Sequence, residues 1–260
     1  MEVPANMKPL LKALRLSGVL DSLALRNKEA IENQLSFIDF FTLVLHDEMA
    51  RREQKRFDQR LKRSGLRSQK TLEQFDFSFN PKINQRQVMD LATCRFIQEK
   101  VAVLLVGPCG TGKSHLSQAI GHCALRLGME TVFLSQTKLF ADLNKAKAVG
   151  VYDKAFQKLV RVPLLIIDDF GLKPLRTPED EQFHDLITQR YEQAATLISS
   201  NLAFNEWGDA FPNKLLGVAT LDRLQHGAYR LILEGRSYRG KTPSATPPAS
   251  DIIPLDFKEN

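Results

Sequence analysis

No apolar run in these 260 residues approaches the roughly 20 that a helix needs to cross a bilayer. The opening stretch MEVPANMKPLLK also lacks the apolar core of a secretory signal, so a cytoplasmic protein without a membrane partner is expected. Cysteine is scarce: Cys94, Cys109 and Cys123 are odd in number and show no C-x-x-C spacing, which argues against a disulfide framework and a zinc site. His115, His122, His184 and His226 have no ligand spacing and read as surface or helix residues. The single tryptophan, Trp207, is assigned to the core with Phe211. Internal repeats are missing. What remains is a chain 43% apolar and 25% charged, long enough for one sizeable core and an accessory domain.

The charge is uneven. Residues 51 to 70 hold nine bases against two acids, a local +7, so the rest of a chain of net +6 carries −1. This segment falls at the end of a region that reads as helical. Leu10, Leu11, Leu14 and Leu16 predict a short helix ending near Gly18, and Leu20, Leu23 and Leu25 begin a second. Ser36 and Asp39 resemble a capping box for a third, with Phe37, Phe40, Phe41, Val44 and Leu45 as its apolar stripe and Gly65 as its stop. At 100° per residue Arg52, Lys55, Arg56, Arg60 and Arg63 share about 140° of arc, opposite Phe57 and Leu61. A solvated face is one explanation of this stripe. A footprint for the phosphate backbone of duplex DNA, formed by Arg51, Arg52, Lys55, Arg56, Arg60, Lys62 and Arg63, is the other.

The most specific signal is GPCGTGKSHL at 107 to 116, directly after the apolar run VAVLLV. Gly107, Gly112, Lys113 and Ser114 satisfy G-x-x-x-x-G-K-[ST], a pattern that four positions of average composition produce by accident on the order of one per cent of the time. Its chemistry is that of a phosphate cradle. Glycines let successive N–H groups point inward, the following helix offers its positive end, Lys113 adds a full charge and Ser114 a hydroxyl for Mg²⁺. The implied ligands are a nucleoside triphosphate, held by Gly107, Pro108, Cys109, Gly110, Thr111, Gly112, Lys113 and Ser114, and its Mg²⁺. Leu116, Ile120, Cys123, Ala124 and Leu127 continue at helical spacing to Gly128.

Five near-continuous apolar strands follow one another with helical stretches between: VAVLLVG, TVFLS, PLLIIDD, ATLISSN and YRLILEG. That series predicts an α/β fold with a parallel sheet covered on both faces. Asp168 and Asp169 end the third strand, where a crevice opens, so Asp168 is placed on Mg²⁺ with Ser114 and Asp169 beside the attacking water. Thr177, Pro178, Glu179 and Asp180 open a helix whose buried side carries Phe183, Leu186, Ile187 and Tyr191, and whose end carries Arg190. Asn201 ends the fourth strand, in reach of water or γ-phosphate.

This order of parts, completed by a late arginine in TLDRLQHGA, resembles the AAA+ ATPases. LKALRLSGVLDSL, GPCGTGKSHL, LLIIDDFG, QRYEQAATLISSN, LDRL and EGRSYR look more narrowly like the IstB-like members of the DnaC/IstB branch, ATP-dependent DNA-binding helpers of insertion-sequence transposases. The resemblance implies a helical assembly and DNA-binding domain over 1–70, a linker over 71–100, an AAA+ domain over 101–240 and a flexible tail over 241–260. It also implies a catalytic set of Lys113, Asp169, Asn201 as polar sensor, and Arg223 as a finger reaching a neighbouring subunit's nucleotide.

Implied partners are duplex DNA, a DDE-type transposase of the same element, and further copies of the chain in a ring or spiral. Two departures stand out. Asp169 occupies a position where most AAA+ proteins carry glutamate, and the stretch after Leu233 is short for a helical lid, which leaves Arg239 without a clear role. Three functions stay open at this point: a transposition regulator, a DnaC-type helicase loader gripping protein through its N-terminal helices, and a nucleotide-gated DNA-binding module that barely hydrolyses.

Overall fold

The computed structural model describes residue 4, residues 6–235 and residues 237–238; the expected tail over 241–260 and Arg239 lie outside them. Three helices come first: α1 (Met7–Ala13), α2 (Ser17–Glu32) and α3 (Phe37–Ser64). Gly18 does not stop a helix, as the leucine spacing had predicted, but sits in the first turn of α2. A Cβ there would lie 2.7 Å from the Glu48 Cα, so glycine is what lets α2 and α3 touch. Leu16, at the N-cap position of α2, supplies no side-chain cap. Glu48 of α3 takes that place, accepting from Gly18 N at 2.7 Å and Val19 N at 3.3 Å, a negative charge set against the positive end of α2. Burial pushes the Glu48 carboxyl up, Arg52 and the two amides pull it down, and the net lies below the ordinary glutamate value.

Leu11, Val19 and Val44 form a small core, flanked by Leu16, Leu20, Leu23 and Phe40. The expected stripe of α3 is therefore mostly outward. Phe37 is 92% exposed and Phe41 60%. Ser36 caps α3 through Asp39 N at 3.1 Å, and the helix runs to Gly65 as its sequence predicts. Its far end leaves the small helical cluster, because Phe57 and Leu61 pack onto the sheet's own core.

Residues 71 to 100, read as a joining segment, contain α4 (Gln85–Ala92) and α5 (Arg95–Glu99), which bury Val88, Leu91, Phe96 and Ile97 against the sheet. Five parallel strands follow: β1 (Val103–Val106), β2 (Thr131–Ser135), β3 (Leu164–Phe170), β4 (Ala195–Ser200) and β5 (Tyr229–Ile232), in the order β2-β3-β4-β1-β5. Between them run α6 (Lys113–Arg126), α7 (Gln136–Ala148), α8 (Tyr152–Arg161), α9 (Glu179–Arg190) and α10 (Lys214–Gln225).

Strand alternation sorts the core into two layers. Leu104, Val106, Leu165, Ile167 and Ile198 face α7 to α10 with Phe183, Trp207 and Phe211. Val103, Leu105, Leu164, Ile166 and Leu197 face α4 to α6. Thr177 gives α9 no cap; Pro178 precedes it and three acids fill its first turn. Arg190 is 1% exposed and ties the α7–α10 layer to the sheet, donating to the carbonyls of Leu159, Val160, Val162 and Ala195 and to Thr196 Oγ1. Such a cluster of acceptors satisfies a buried guanidinium without a carboxylate.

Candidate functional site

The phosphate loop leaves β1 and enters α6. Gly107, Gly110 and Gly112 all take positive φ, and a side chain at Gly112 would meet the ring of Phe75 at 2.8 Å. Lys113 is nearly buried, its Nζ donating to the carbonyls of Gly107 at 2.6 Å and Pro108 at 2.8 Å. The residues from Cys109 to Ser114 line a cavity of 1290 Å³ over the carboxyl ends of the strands, and Gly107 and Pro108 do not reach its lining.

Strand order brings the rest together. Because β4 lies between β1 and β3, Asn201 comes to the same cavity as Lys113, Ser114, Asp168 and Asp169. Ser114 Oγ donates to Asp168 Oδ1 at 3.1 Å, and Ser199 of β4 donates to the same oxygen. Burial holds the Asp168 carboxyl above its ordinary value, against the pull of the two hydroxyls and with a push from Asp169. One hydroxyl and one partly desolvated carboxylate in hydrogen-bonding contact are a fitting pair of hard oxygen ligands for Mg²⁺.

The ladder between β3 and β4 shifts register between Ile167 and Phe170, a bulge that contains both acids. Asp169 has φ +57°, in the left-handed region that aspartate tolerates better than most side chains. That gives a local reason for the shorter acid at this position: the bulge re-aims the side chain through a backbone conformation in which glutamate is less at home.

Arg223 is elsewhere. It lines a separate cavity of 210 Å³ at the amino ends of β1 and β4, with Glu99, Tyr191, Glu192 and His226, and its NH1 donates to Ala219 O at 2.7 Å. The depth of the sheet separates it from the phosphate loop of its own chain. The seven cations of the α3 stripe also divide. Arg51 pairs with Asp21 at 2.8 Å, Arg52 with Glu48 at 2.6 Å, and half-buried Arg60 donates to Leu125 O at 3.3 Å. Lys55 and Arg56 are exposed on the helix, whereas Lys62 and Arg63 line the large cavity.

Sequence reasoning missed several parts of this site. Ser199 carries no motif and matters only because β4 is the neighbour of β3. The stretch after β5 returns over the phosphate loop, Tyr238 N donating to Gly110 O at 2.9 Å and its ring meeting Phe79 with centroids 4.8 Å apart. The aromatic run FDFSF at 75 to 79 was the available signal.

A family model described as IstB-like ATP binding protein matches residues 9–246. The chain belongs to this family. Among IstB-like relatives, the ATP-binding protein of insertion sequence IS21 from Pseudomonas aeruginosa is 37% identical over 231 residues, covering 89% of this chain and 86% of that protein. An insertion-sequence ATP-binding protein of Mycobacterium tuberculosis is 33% identical over 242 residues, 92% and 96% of the two chains.

Among solved structures, the DnaC helicase loader superposes with TM-score 0.51 at 21% identity, over 60% of this chain and 94% of that one. AMPPCP-bound DnaA from Aquifex aeolicus gives 0.55 at 19%, over 66% of this chain and about half (52%) of the DnaA chain. At such identities the shared property is the fold, which is that of the AAA+ ATPases. This IstB-like chain is thus an ATP-binding AAA+ protein, and among its described residues no helix is long and apolar enough to cross a membrane.

Proposed function

We propose that this chain is an ATP-dependent DNA-binding ATPase that assembles on duplex DNA and presents it to a partner transposase. One observation carries the proposal: Lys113, Ser114, Asp168, Asp169 and Asn201 converge on one cavity while Arg223 lies at the opposite, amino end of the sheet. Arg63 and Arg67 also line this cavity, but Arg223, the arginine that the family resemblance implies, would reach it only from a second copy.

In this proposal the loop amides and Lys113 would hold the β- and γ-phosphates, and Ser114 with Asp168 would hold Mg²⁺, which when bound would supply neutralisation of phosphate charge. Asp169 orients the attacking water and takes its proton, and the Asn201 amide steadies water or γ-phosphate. Arg223 of the neighbour meets the charge that develops on the transferring phosphoryl, typically worth about 10³ to 10⁵ in rate. Hydrolysis by single chains is then slow and assembly sets the timing. The names of the IS21-type relatives, ATP-binding proteins of insertion sequences, support that setting.

The test is sedimentation and ATP turnover with and without duplex DNA. Larger assemblies and faster turnover are expected when ATP, Mg²⁺ and duplex are all present. A chain that binds ATP but stays single and indifferent to duplex overturns the proposal.

A second reading has its own observation. A helicase loader of the DnaC type grips a protein through apolar anchors, and Phe37, Ile38 and Phe41 stand 92%, 79% and 60% exposed along α3. Phe37→Ser with Phe41→Ser separates the two. Unchanged DNA binding with lost helicase association favours the loader.

A further inference from the structure

Beyond the phosphate loop itself, the lining of the large cavity is rich in cations. Lys62 and Arg63 reach it from the end of α3, Arg67 and Lys70 from the segment that follows, Lys138 from α7 and Lys158 from α8. Asp76 and Asp142 are the acids on that wall, and Asp142 pairs with Lys138 at 3.1 Å. Among the described residues Lys62, Arg67 and Lys158 have no acidic side chain within ion-pair distance. The segment from 67 to 71 is pinned in place: Gln118 accepts from Arg67 N at 3.0 Å, His122 Nε2 lies 2.9 Å from Arg67 O, and His115 Nε2 lies 2.9 Å from Thr71 O. All three holders project from α6, the helix that the phosphate loop begins.

A nucleotide with Mg²⁺ is already served by Lys113 and the loop amides. With Lys113, Asp168 and Asp169 included, seven cations against four acids line the cavity, a net 7 − 4 = +3, slightly more than one Mg²⁺-nucleotide neutralises. Lys62, Arg63, Arg67, Lys138 and Lys158 are also exposed, so the wall runs from the cavity out to the surface. A linear polyanion fits that distribution better than a compact one.

We propose that Lys62, Arg63, Arg67, Lys138 and Lys158 form one track for a nucleic-acid phosphate backbone at the mouth of the nucleotide cavity, so that duplex DNA laid on it hinders nucleotide escape. The proposal rests on the DNA-binding reading above and moves its centre from the middle of α3 to the junction of α3, α7 and α8. Arg51, Arg52 and Arg60 then serve the fold, through Asp21, Glu48 and the Leu125 carbonyl. Coupling is reciprocal: DNA slows nucleotide release and bound nucleotide tightens DNA.

The experiment compares Lys138→Ala/Lys158→Ala and Arg51→Ala/Arg52→Ala with the parent chain. Duplex affinity is measured by anisotropy across a salt series with ATP and Mg²⁺, and release of a fluorescent ATP analogue is timed with and without duplex. The track predicts that the Lys138/Lys158 variant binds duplex roughly tenfold more weakly, with a log–log salt slope smaller by about 1.8. Its nucleotide affinity without DNA stays that of the parent. Duplex slows release from the parent at least about fivefold and has little effect on release from this variant.

Three outcomes overturn the track. A parental salt slope in the Lys138/Lys158 variant, with a reduced one in the Arg51/Arg52 variant, puts DNA on the middle of α3 and leaves the proposed function standing. Weakened nucleotide binding without DNA makes the wall part of the nucleotide site. No duplex binding by the parent chain removes the track and the DNA-binding function together.

Discussion

His122, in the helix that follows the phosphate loop, holds the main chain of Arg67: its Nε2 lies 2.9 Å from the Arg67 carbonyl, and its side chain is 2% exposed. An imidazole facing a carbonyl donates, so the tautomer is set by its partner. This contact ties the end of the N-terminal helical region to the helix that begins at Lys113. His122→Ala leaves a carbonyl unpaired in a closed space and is expected to destabilise the chain by about 1–3 kcal/mol. Hydrogen exchange at residues 66–71 should rise more than exchange in β3.

His115 makes the neighbouring contact and gives the junction a pH dependence. Burial, with a smaller contribution from Lys70, holds its pKa below the ordinary 6.5 against the pull of the Thr71 carbonyl. A base whose folded value lies below its unfolded value binds protons more readily when unfolded. Its contribution to stability is therefore full above about pH 6.5 and diminishes as pH falls through that value towards the folded one. Melting temperature should decline from pH 7 to 5.5, and His115→Gln should flatten the decline.

Asp168 and Asp169 should separate cleanly under mutation. Asp168→Asn removes the carboxylate beside Ser114 and is expected to abolish the Mg²⁺ dependence of ATP affinity. Asp169→Asn keeps a residue that tolerates φ +57°, so folding and ATP affinity should persist while turnover falls about 10²- to 10⁴-fold. Titration calorimetry with and without Mg²⁺, beside a phosphate-release assay, distinguishes them. Equal loss of affinity in both variants counts against the assigned roles.

Lys113→Ala and Arg223→Ala should complement each other. The first chain cannot hold ATP well and the second cannot serve a neighbour. In a mixture, an intact phosphate loop in one copy meets an intact arginine from another, so turnover well above either variant alone is expected. Additive, near-zero turnover would return Arg223 to a role within its own chain.

Gly18→Ala probes the helical region alone. The added methyl meets main-chain atoms of Glu48 and Asp47 at 2.7 and 2.8 Å, which cannot rotate away. Overpacking of this kind costs about 1–3 kcal/mol. Melting temperature should fall while ATP affinity holds, and an unchanged melting temperature would mean that α2 and α3 do not meet this closely.

Contiguous residues were enough to read the phosphate loop, the acidic tip of β3, the five apolar strands and the length of α3. Each is a local pattern whose chemistry works through neighbours in the chain, and the family resemblance rests on the same stretches. Tertiary structure decided what no local pattern contains. Strand order placed Ser199 against Asp168 and put Asn201 between loop and acid, while it left Arg223 at the opposite end of the sheet. Packing assigned Arg51, Arg52 and Arg60 to partners inside the chain and turned Lys62 and Arg63 toward the nucleotide cavity. The physical reason is that a side chain's charge can be read from the sequence, whereas the group that answers the charge comes from residues tens of positions away.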